Sequence, residues 1–101
     1  MTLRYKHHSI FKLYPNVRQV MGDDAFDSNG NLVTYDEATV IAEAKLMDLR
    51  AERDGKLVNT DWWASSDLTM TEAQTDYRQA LRDITDTYTS LDDVVWPEEP
   101  V

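Results

Sequence analysis

The side chains that could do chemistry in this sequence are carboxylates, two histidines and hydroxyl groups, because cysteine is absent. A chain without cysteine has no disulfide, no thiolate metal ligand and no cysteine nucleophile. The nineteen acidic residues form many pairs, but acid–base catalysis needs a pair whose pKa values are driven apart in a cleft. No spacing singles out such a pair, and neither a nucleophile elbow nor a phosphate-binding glycine loop occurs. We therefore predict a protein that is not an enzyme and uses no cofactor.

One segment resembles a metal site and is better explained as a turn. Residues 27–31, with the sequence DSNGN, begin like a calcium-binding loop. That loop requires glycine where this chain has Leu32, and a bidentate glutamate where it has Ala38. The Asn29-Gly30 pair between two short apolar runs predicts a β-hairpin instead, because both residues tolerate positive φ.

The charges are distributed unevenly along the chain. The formal net charge is −9, yet residues 1–22 contain no acidic residue and four basic ones, which we interpret as a solvated strand face: Arg4, Lys6, Lys12 and Arg18. His7 and His8 are adjacent, so on a strand they would point to opposite faces and could not share a metal ion. The acidic remainder repels phosphates and anionic lipids, so we expect neither a nucleic-acid partner nor a membrane partner. No apolar run is long enough to cross a bilayer, so the cytoplasm is the expected location.

The first third of the chain predicts strands. Residues 9–14 are rich in strand-forming residues and end at Pro15, and residues 17–21 alternate apolar and polar side chains up to Gly22. The Asn-Gly hairpin of residues 25–33 follows. We expect residues 1–35 to form a β-rich segment.

Two amphipathic helices are predicted after it. Thr34 and Glu37 have capping-box spacing before a helix over residues 36–57, and Thr69 and Glu72 have the same spacing before a helix that ends near Thr85. Prolines in the last residues forbid further helix. We predict an α+β fold in which an N-terminal antiparallel hairpin packs with an antiparallel helix pair and an extended C-terminal tail. Residues 36–101 would form its helical region within one compact domain.

Three tryptophans are the main apolar anchors of the second half. Trp62 and Trp63 are adjacent in the connector between the helices, and Trp96 lies in the tail. Adjacent side chains rarely point the same way. We predict that Trp62 and Trp96 enter the core, while an exposed Trp63 would bind a partner.

An ordered series of motifs runs through the second half. It consists of Arg50-x-x-Arg53-Asp54, Thr60-Asp61-Trp62-Trp63, Tyr77-Arg78-Gln79-Ala80-Leu81-Arg82-Asp83 and Trp96-Pro97. Over residues 49–100 this series resembles the phage tail assembly chaperone family. The resemblance implies a protein that binds a phage tail or tail-fibre component in the host cytoplasm.

The motif residues also have a physical interpretation. Arg78 and Arg82 lie one helical turn apart, so both could hold carboxylates from one face of the helix. Asp61 could anchor the connector to one of them, and Asp54 or Asp83 could pair with Arg50 or Arg53. We expect these contacts to fasten the helix pair, so that Trp62→Ala or Arg78→Ala lowers the melting temperature.

Three functions fit this sequence. The first is an assembly chaperone that binds a tail component stoichiometrically without ATP, and homo-oligomers are compatible with it. The second is a small adaptor subunit retained in the tail, baseplate or fibre of the virion. The third is an acidic inhibitor that mimics DNA and binds a basic host protein.

Overall fold

The computed structural model describes residues 5–65 and 67–100 of the chain. Helix α1 (Lys6–Leu13) precedes three strands, and after them come the long helix α2, a 3₁₀ turn (Asp61–Ala64), helix α3 and a last short helix. The bounds of those elements are β1 (Gln19–Met21), β2 (Asp24–Phe26), β3 (Leu32–Val33), α2 (Glu37–Thr60), α3 (Glu72–Arg82) and α4 (Ile84–Thr87). The predicted α+β class is confirmed. The chain divides into two compact units, residues 1–47 and 48–101, and α2 runs through the division.

The sheet of the first unit is an antiparallel meander in the order β1-β2-β3. Met21 pairs with Asp24, so the first hairpin turns on two residues, of which Gly22 has φ 61 as the first. Positive φ at the first turn residue and negative φ at the second, Asp23, are the mark of a type II′ turn, whose twist matches the flanking strands. The core beneath this sheet contains four buried residues: Ile10, Val17, Ala25 and Val40.

The second hairpin confirms the prediction made from Asn29-Gly30. Strands β2 and β3 pair on either side of it, and Gly30 has φ 81 while Asn29 keeps negative φ. The Asp27 Oδ1 accepts the backbone N–H groups of Asn29 and Asn31, each at 2.9 Å. Asp27, the residue that would be the first ligand of a calcium loop, therefore organises a hairpin loop in which Gly30 has the left-handed backbone conformation.

The strand predicted over residues 9–14 is wrong, because residues 9–13 lie in helix α1 and Tyr14 is the C-cap of that helix. Ile10 is fully buried, and Leu13 and Tyr14 pack against the same core, which is helical spacing. Burial of this face outweighs the strand preference of the individual residues. Pro15 ends a helix as readily as a strand, so it could not distinguish the two.

The predicted basic strand face is also wrong, because Lys6 and Lys12 lie on helix α1 and pair with acids within the unit. Lys6 Nζ lies 2.7 Å from Asp23 Oδ1 and 2.9 Å from Glu37 Oε1, and it joins α1 to the first turn and to the start of α2. Hydrogen bonds to Asp23 and then Glu37 raise the pKa of Lys6, and the Lys6 ammonium lowers the pKa of Asp23. Lys12 pairs with Glu43 of α2. These ion pairs are intramolecular ties of the N-terminal unit.

Because α1 replaces the predicted strand, the other polar residues near the N-terminus also have positions that differ from those predicted. His7 and His8 are exposed on α1 and not on a strand, and the His7 ring nitrogen Nε2 lies 3.1 Å from the Gly22 carbonyl oxygen. Arg18 donates to the Pro15 carbonyl. Arg4 lies outside the described residues.

Both predicted capping boxes lie two residues before the actual caps. Helix α2 begins at Glu37, so Asp36 precedes it and accepts the Thr39 hydroxyl, while Glu37 binds Lys6 and not Thr34. At α3 the box is formed by Thr71 and Gln74, whose side chains each bond the backbone N–H of the other, at 3.1 and 2.9 Å. Glutamine serves in this motif as well as glutamate does, so two overlapping boxes were available in the sequence.

Candidate binding surface

The second unit contains a helix hairpin formed by the C-terminal half of α2 and by α3. Arg53 near the middle of α2 bonds the carbonyl of Arg82 at the end of α3, at 3.3 Å. Arg78 on α3 bonds the carbonyl of Leu57 near the end of α2, at 2.9 Å. Later residues of α2 therefore contact earlier residues of α3, so the helix pair is antiparallel, as predicted.

Arg78 fastens the turn after α2. Its Nη1 donates to the Leu57 carbonyl and, at 2.6 Å, to the Thr60 hydroxyl oxygen, while Nη2 lies 2.8 Å from Asp61 Oδ1. The last carbonyls of a helix lack partners within it, and a guanidinium supplies donors to them. The predicted contact of Asp61 with an arginine of α3 is therefore present, and Arg78 is that arginine.

Arg53 has the matching role on the other helix. Besides the Arg82 carbonyl it contacts Asp54, with 2.6 Å between Nε and Oδ1, so the predicted Arg53–Asp54 pair is present. Arg82 does not repeat the role of Arg78, because its exposed side chain donates to the amide oxygen of Gln79 at 3.0 Å. Asp83 accepts from the Gln79 amide nitrogen, and Arg50 is half-buried on α2.

A small aromatic core lies beneath these contacts. Trp63 is 6% exposed, and its ring centroid lies 6.0 Å from that of buried Tyr77. Buried Leu81 completes the cluster, and three partly buried residues pack against it: Leu57, Met70 and Trp96. Burial raises the pKa of Tyr77, and the nearby Glu99 carboxylate adds to that shift.

The predicted orientation of the adjacent tryptophans is wrong. Trp63 is the buried one, and Trp62 is 63% exposed. Both lie in the 3₁₀ turn, where successive side chains are about 120° apart. Because Asp61 is tied to Arg78, the rotation of this turn is set, and Trp63 faces the core. No pattern in the sequence distinguishes the two tryptophans.

The C-terminal tail contacts the same unit through Trp96. Trp96, predicted to enter the core, is partly buried and packs against the aromatic cluster, while the Lys56 ammonium lies 4.9 Å from its ring centroid. A cation over a tryptophan face is attracted by the ring quadrupole. Pro97 is half-buried beside it in the sequence.

An exposed apolar surface lies at the end of α2. Val58 and Trp62 are both exposed, and they are four residues apart across the junction of α2 with the 3₁₀ turn. This spacing places side chains on one face of a helix. We call Val58 and Trp62 the Trp62 surface. At the base of this surface, the Trp62 ring lies edge-on to buried Trp63 with 6.1 Å between centroids.

The part of the chain that the structure describes has neither a cluster of metal-binding side chains nor a helix that could span a membrane. Residues 5–65 and 67–100 contain no group of three or more His, Asp or Glu side chains that could hold a metal ion. Across the same ranges, every helix is too short or too polar to span a bilayer.

The second unit thus contains a helix hairpin with an aromatic core and an exposed tryptophan. Residues 46–101 match the family model of the phage tail assembly chaperone protein. Because the match covers more than half of the chain, this protein belongs to the phage tail assembly chaperone family and has a role in phage tail assembly. The match begins two residues before the second unit does. Neither the curated proteins nor the solved structures contain a match.

Proposed function

We propose that this chain is a non-enzymatic chaperone that binds a phage tail or tail-fibre protein stoichiometrically, in the host cytoplasm, through the Trp62 surface. The observation that carries the proposal is an exposed tryptophan on the unit that matches the family model. A tryptophan has a large apolar area that is favourable to remove from water, and tryptophans dominate binding energy at protein interfaces. A partner that covers Trp62 would supply that burial.

The contacts beneath Trp62 suit it to this role. The ties of Arg78 to the end of α2 and to Asp61 fix the backbone that carries Trp62. A surface that is already ordered loses little conformational entropy when it binds, which leaves more of the contact energy for affinity. The family-motif residues Arg53, Arg78 and Trp63 would then build the support, and Trp62 would make the contact.

The charge of the second unit favours a protein that remains dissolved until its partner is engaged. Residues 48–101 contain thirteen acidic and five basic residues, which accounts for −8 of the total charge of −9. A large net charge opposes self-association. Binding in this mode needs no nucleotide.

The experiment is complementation of a phage in which the gene for this chain is disrupted. We expect no complete tails by electron microscopy without the chain, full restoration by the wild type and by Val95→Ser, and loss of tails with Trp62→Ala. Val95 is the matched control because it is an exposed apolar residue of the same unit, outside the Trp62 surface. Normal tails with Trp62→Ala would contradict the proposed surface.

Protein identification on purified particles separates a chaperone from an adaptor that stays in the virion. A chaperone leaves its partner once the tail is complete, so the chain should be missing from the particles. Its presence in fixed copy number would overturn the chaperone role in favour of a structural subunit.

A further inference from the structure

Two ion pairs beside the Trp62 surface have the same polarity, with the arginine inside and the carboxylate outside. The side chain of Arg53 is 17% exposed against 63% for Asp54, and that of Arg78 is 13% exposed against 61% for Asp61. Each guanidinium also donates to a carbonyl of the facing helix, which holds it in place. The outer side of both pairs is therefore negative although the pairs are formally neutral.

The two carboxylates lie close in the sequence to the apolar residues of the Trp62 surface. Asp54, Val58 and Trp62 succeed one another at intervals of four residues, so they follow one side of α2 into the 3₁₀ turn, and Asp61 immediately precedes Trp62 in that turn. Each apolar residue is therefore preceded by a carboxylate along this segment. This arrangement differs from the exposed apolar residue Val95, whose sequence neighbours are Val94 and Trp96.

We propose that the Trp62 surface binds a cationic amphipathic segment of the tail component, with an apolar side chain against Val58 and Trp62 and lysine or arginine side chains at Asp54 and Asp61. This inference rests on the proposed function and specifies the chemistry of its partner. Tryptophan is the best aromatic acceptor of a cation over its face, so a partner arginine or lysine can contact Trp62 as well as a carboxylate.

The carboxylates can accept the partner while they keep their arginines. Arg53 and Arg78 each contact Oδ1 of their aspartate. An ionised carboxylate accepts about four hydrogen bonds, so a second cation can bind without displacing the first. The net charge of −8 over residues 48–101 also steers a cationic segment toward this unit and repels an acidic one.

The test uses the full chain and two synthetic peptides with the same pattern of leucines. One peptide has lysine at every polar position and the other has glutamate. We expect saturable binding of the lysine peptide by isothermal titration calorimetry, with an affinity that falls as salt rises, and no binding of the glutamate peptide. Binding of both peptides alike, or of neither, would overturn the inference.

Variants separate the Trp62 surface from general attraction to an acidic protein. Trp62→Ala, Val58→Ser and Asp54→Asn should each lower the affinity for the lysine peptide at least about tenfold, which corresponds to about 1.4 kcal/mol. Asp86→Asn removes the same charge from an exposed position on α4 and should change the affinity less than about twofold. Equal affinities for Asp54→Asn and Asp86→Asn would show that only net charge matters and would contradict the site.

A measured melting temperature for each variant confirms that the fold is kept. Should one of the three variants unfold, the other two still decide the result, because they alter different side chains of the same surface. The proposed function and this inference fail separately. If tails depend on Trp62 but the lysine peptide does not bind, the partner chemistry is wrong and the chaperone role stands.

Discussion

Arg53 and Arg78 cap each other's helices. Arg53 on α2 donates to the last carbonyl of α3, that of Arg82, and Arg78 on α3 donates to the Leu57 carbonyl in the last turn of α2. Carbonyls at helix ends have no partner within the helix and carry partial negative charge, so a guanidinium from the facing helix satisfies both needs. This exchange closes the hairpin that presents Trp62.

Arg78 should therefore be a stability determinant. Arg78→Ala removes three charge-assisted contacts to a half-buried region and should lower the free energy of unfolding by about 2–3 kcal/mol. Urea unfolding followed by circular dichroism measures this. Arg82→Ala is the control, since that exposed arginine side chain bonds a neighbouring glutamine and its loss should cost less than about 0.5 kcal/mol. Equal losses for the two variants would contradict the capping role.

Truncation of the two adjacent tryptophans should change the stability of the protein by very different amounts. Trp63→Ala leaves a cavity in the aromatic core and should lower the free energy of unfolding by about 3–5 kcal/mol. Trp62→Ala should change it by less than about 0.5 kcal/mol. Thermal unfolding of both variants followed by circular dichroism distinguishes them. A larger loss for Trp62→Ala would restore the orientation expected from the sequence and refute the one described.

Helix α3 should depend on Thr71 and not on Thr69. Thr71→Ala removes the side-chain acceptor of the Gln74 N–H and should cost about 1 kcal/mol. Thr69 lies outside the helix, so Thr69→Ala should leave the free energy of unfolding nearly unchanged. Urea midpoints of the two variants decide between the caps, and the reverse ranking would move the start of α3 two residues earlier.

Tyr77 should make the second unit sensitive to alkali. Its pKa is raised by burial and by Glu99, so the folded state holds this proton more tightly than the unfolded state does. The resulting stability is fully present below the unfolded pKa of about 10 and is lost as the pH rises through the folded pKa. We expect the unfolding free energy to fall above about pH 10 in the wild type and to fall less in Tyr77→Phe. Parallel pH profiles for the two proteins would contradict a burial-shifted Tyr77.

The parts of the fold that the sequence predicts correctly depend on local chemistry. Gly30 supplies the positive φ of its hairpin loop, and the apolar period gives α2 and α3. The Asp61–Arg78 pair follows from opposite charges on segments that a helix hairpin brings together. The hairpin and the helices need no knowledge of distant contacts, and the Asp61–Arg78 pair needs only the predicted antiparallel helix pair.

Three of the wrong predictions depend on tertiary structure. Residues 9–14 contain strand-forming residues, and only the core of the first unit decides that Ile10 lies on a helix. Lys6 finds Asp23 and Glu37 only once three elements are assembled. The burial of Trp63 in place of Trp62 depends on the rotation of one short turn, which the contact of Asp61 with α3 sets.

The most direct test of the central claim is site-specific photo-crosslinking in infected cells. Replacing Trp62 with p-benzoylphenylalanine places the reactive group at the surface proposed to bind the tail component, and the same replacement of Val95 is the control. We predict a covalent adduct with a phage tail or tail-fibre protein from position 62 during assembly, and none from position 95. No adduct with a tail protein from position 62, or equal adducts from both positions, would contradict a chaperone that acts through the Trp62 surface.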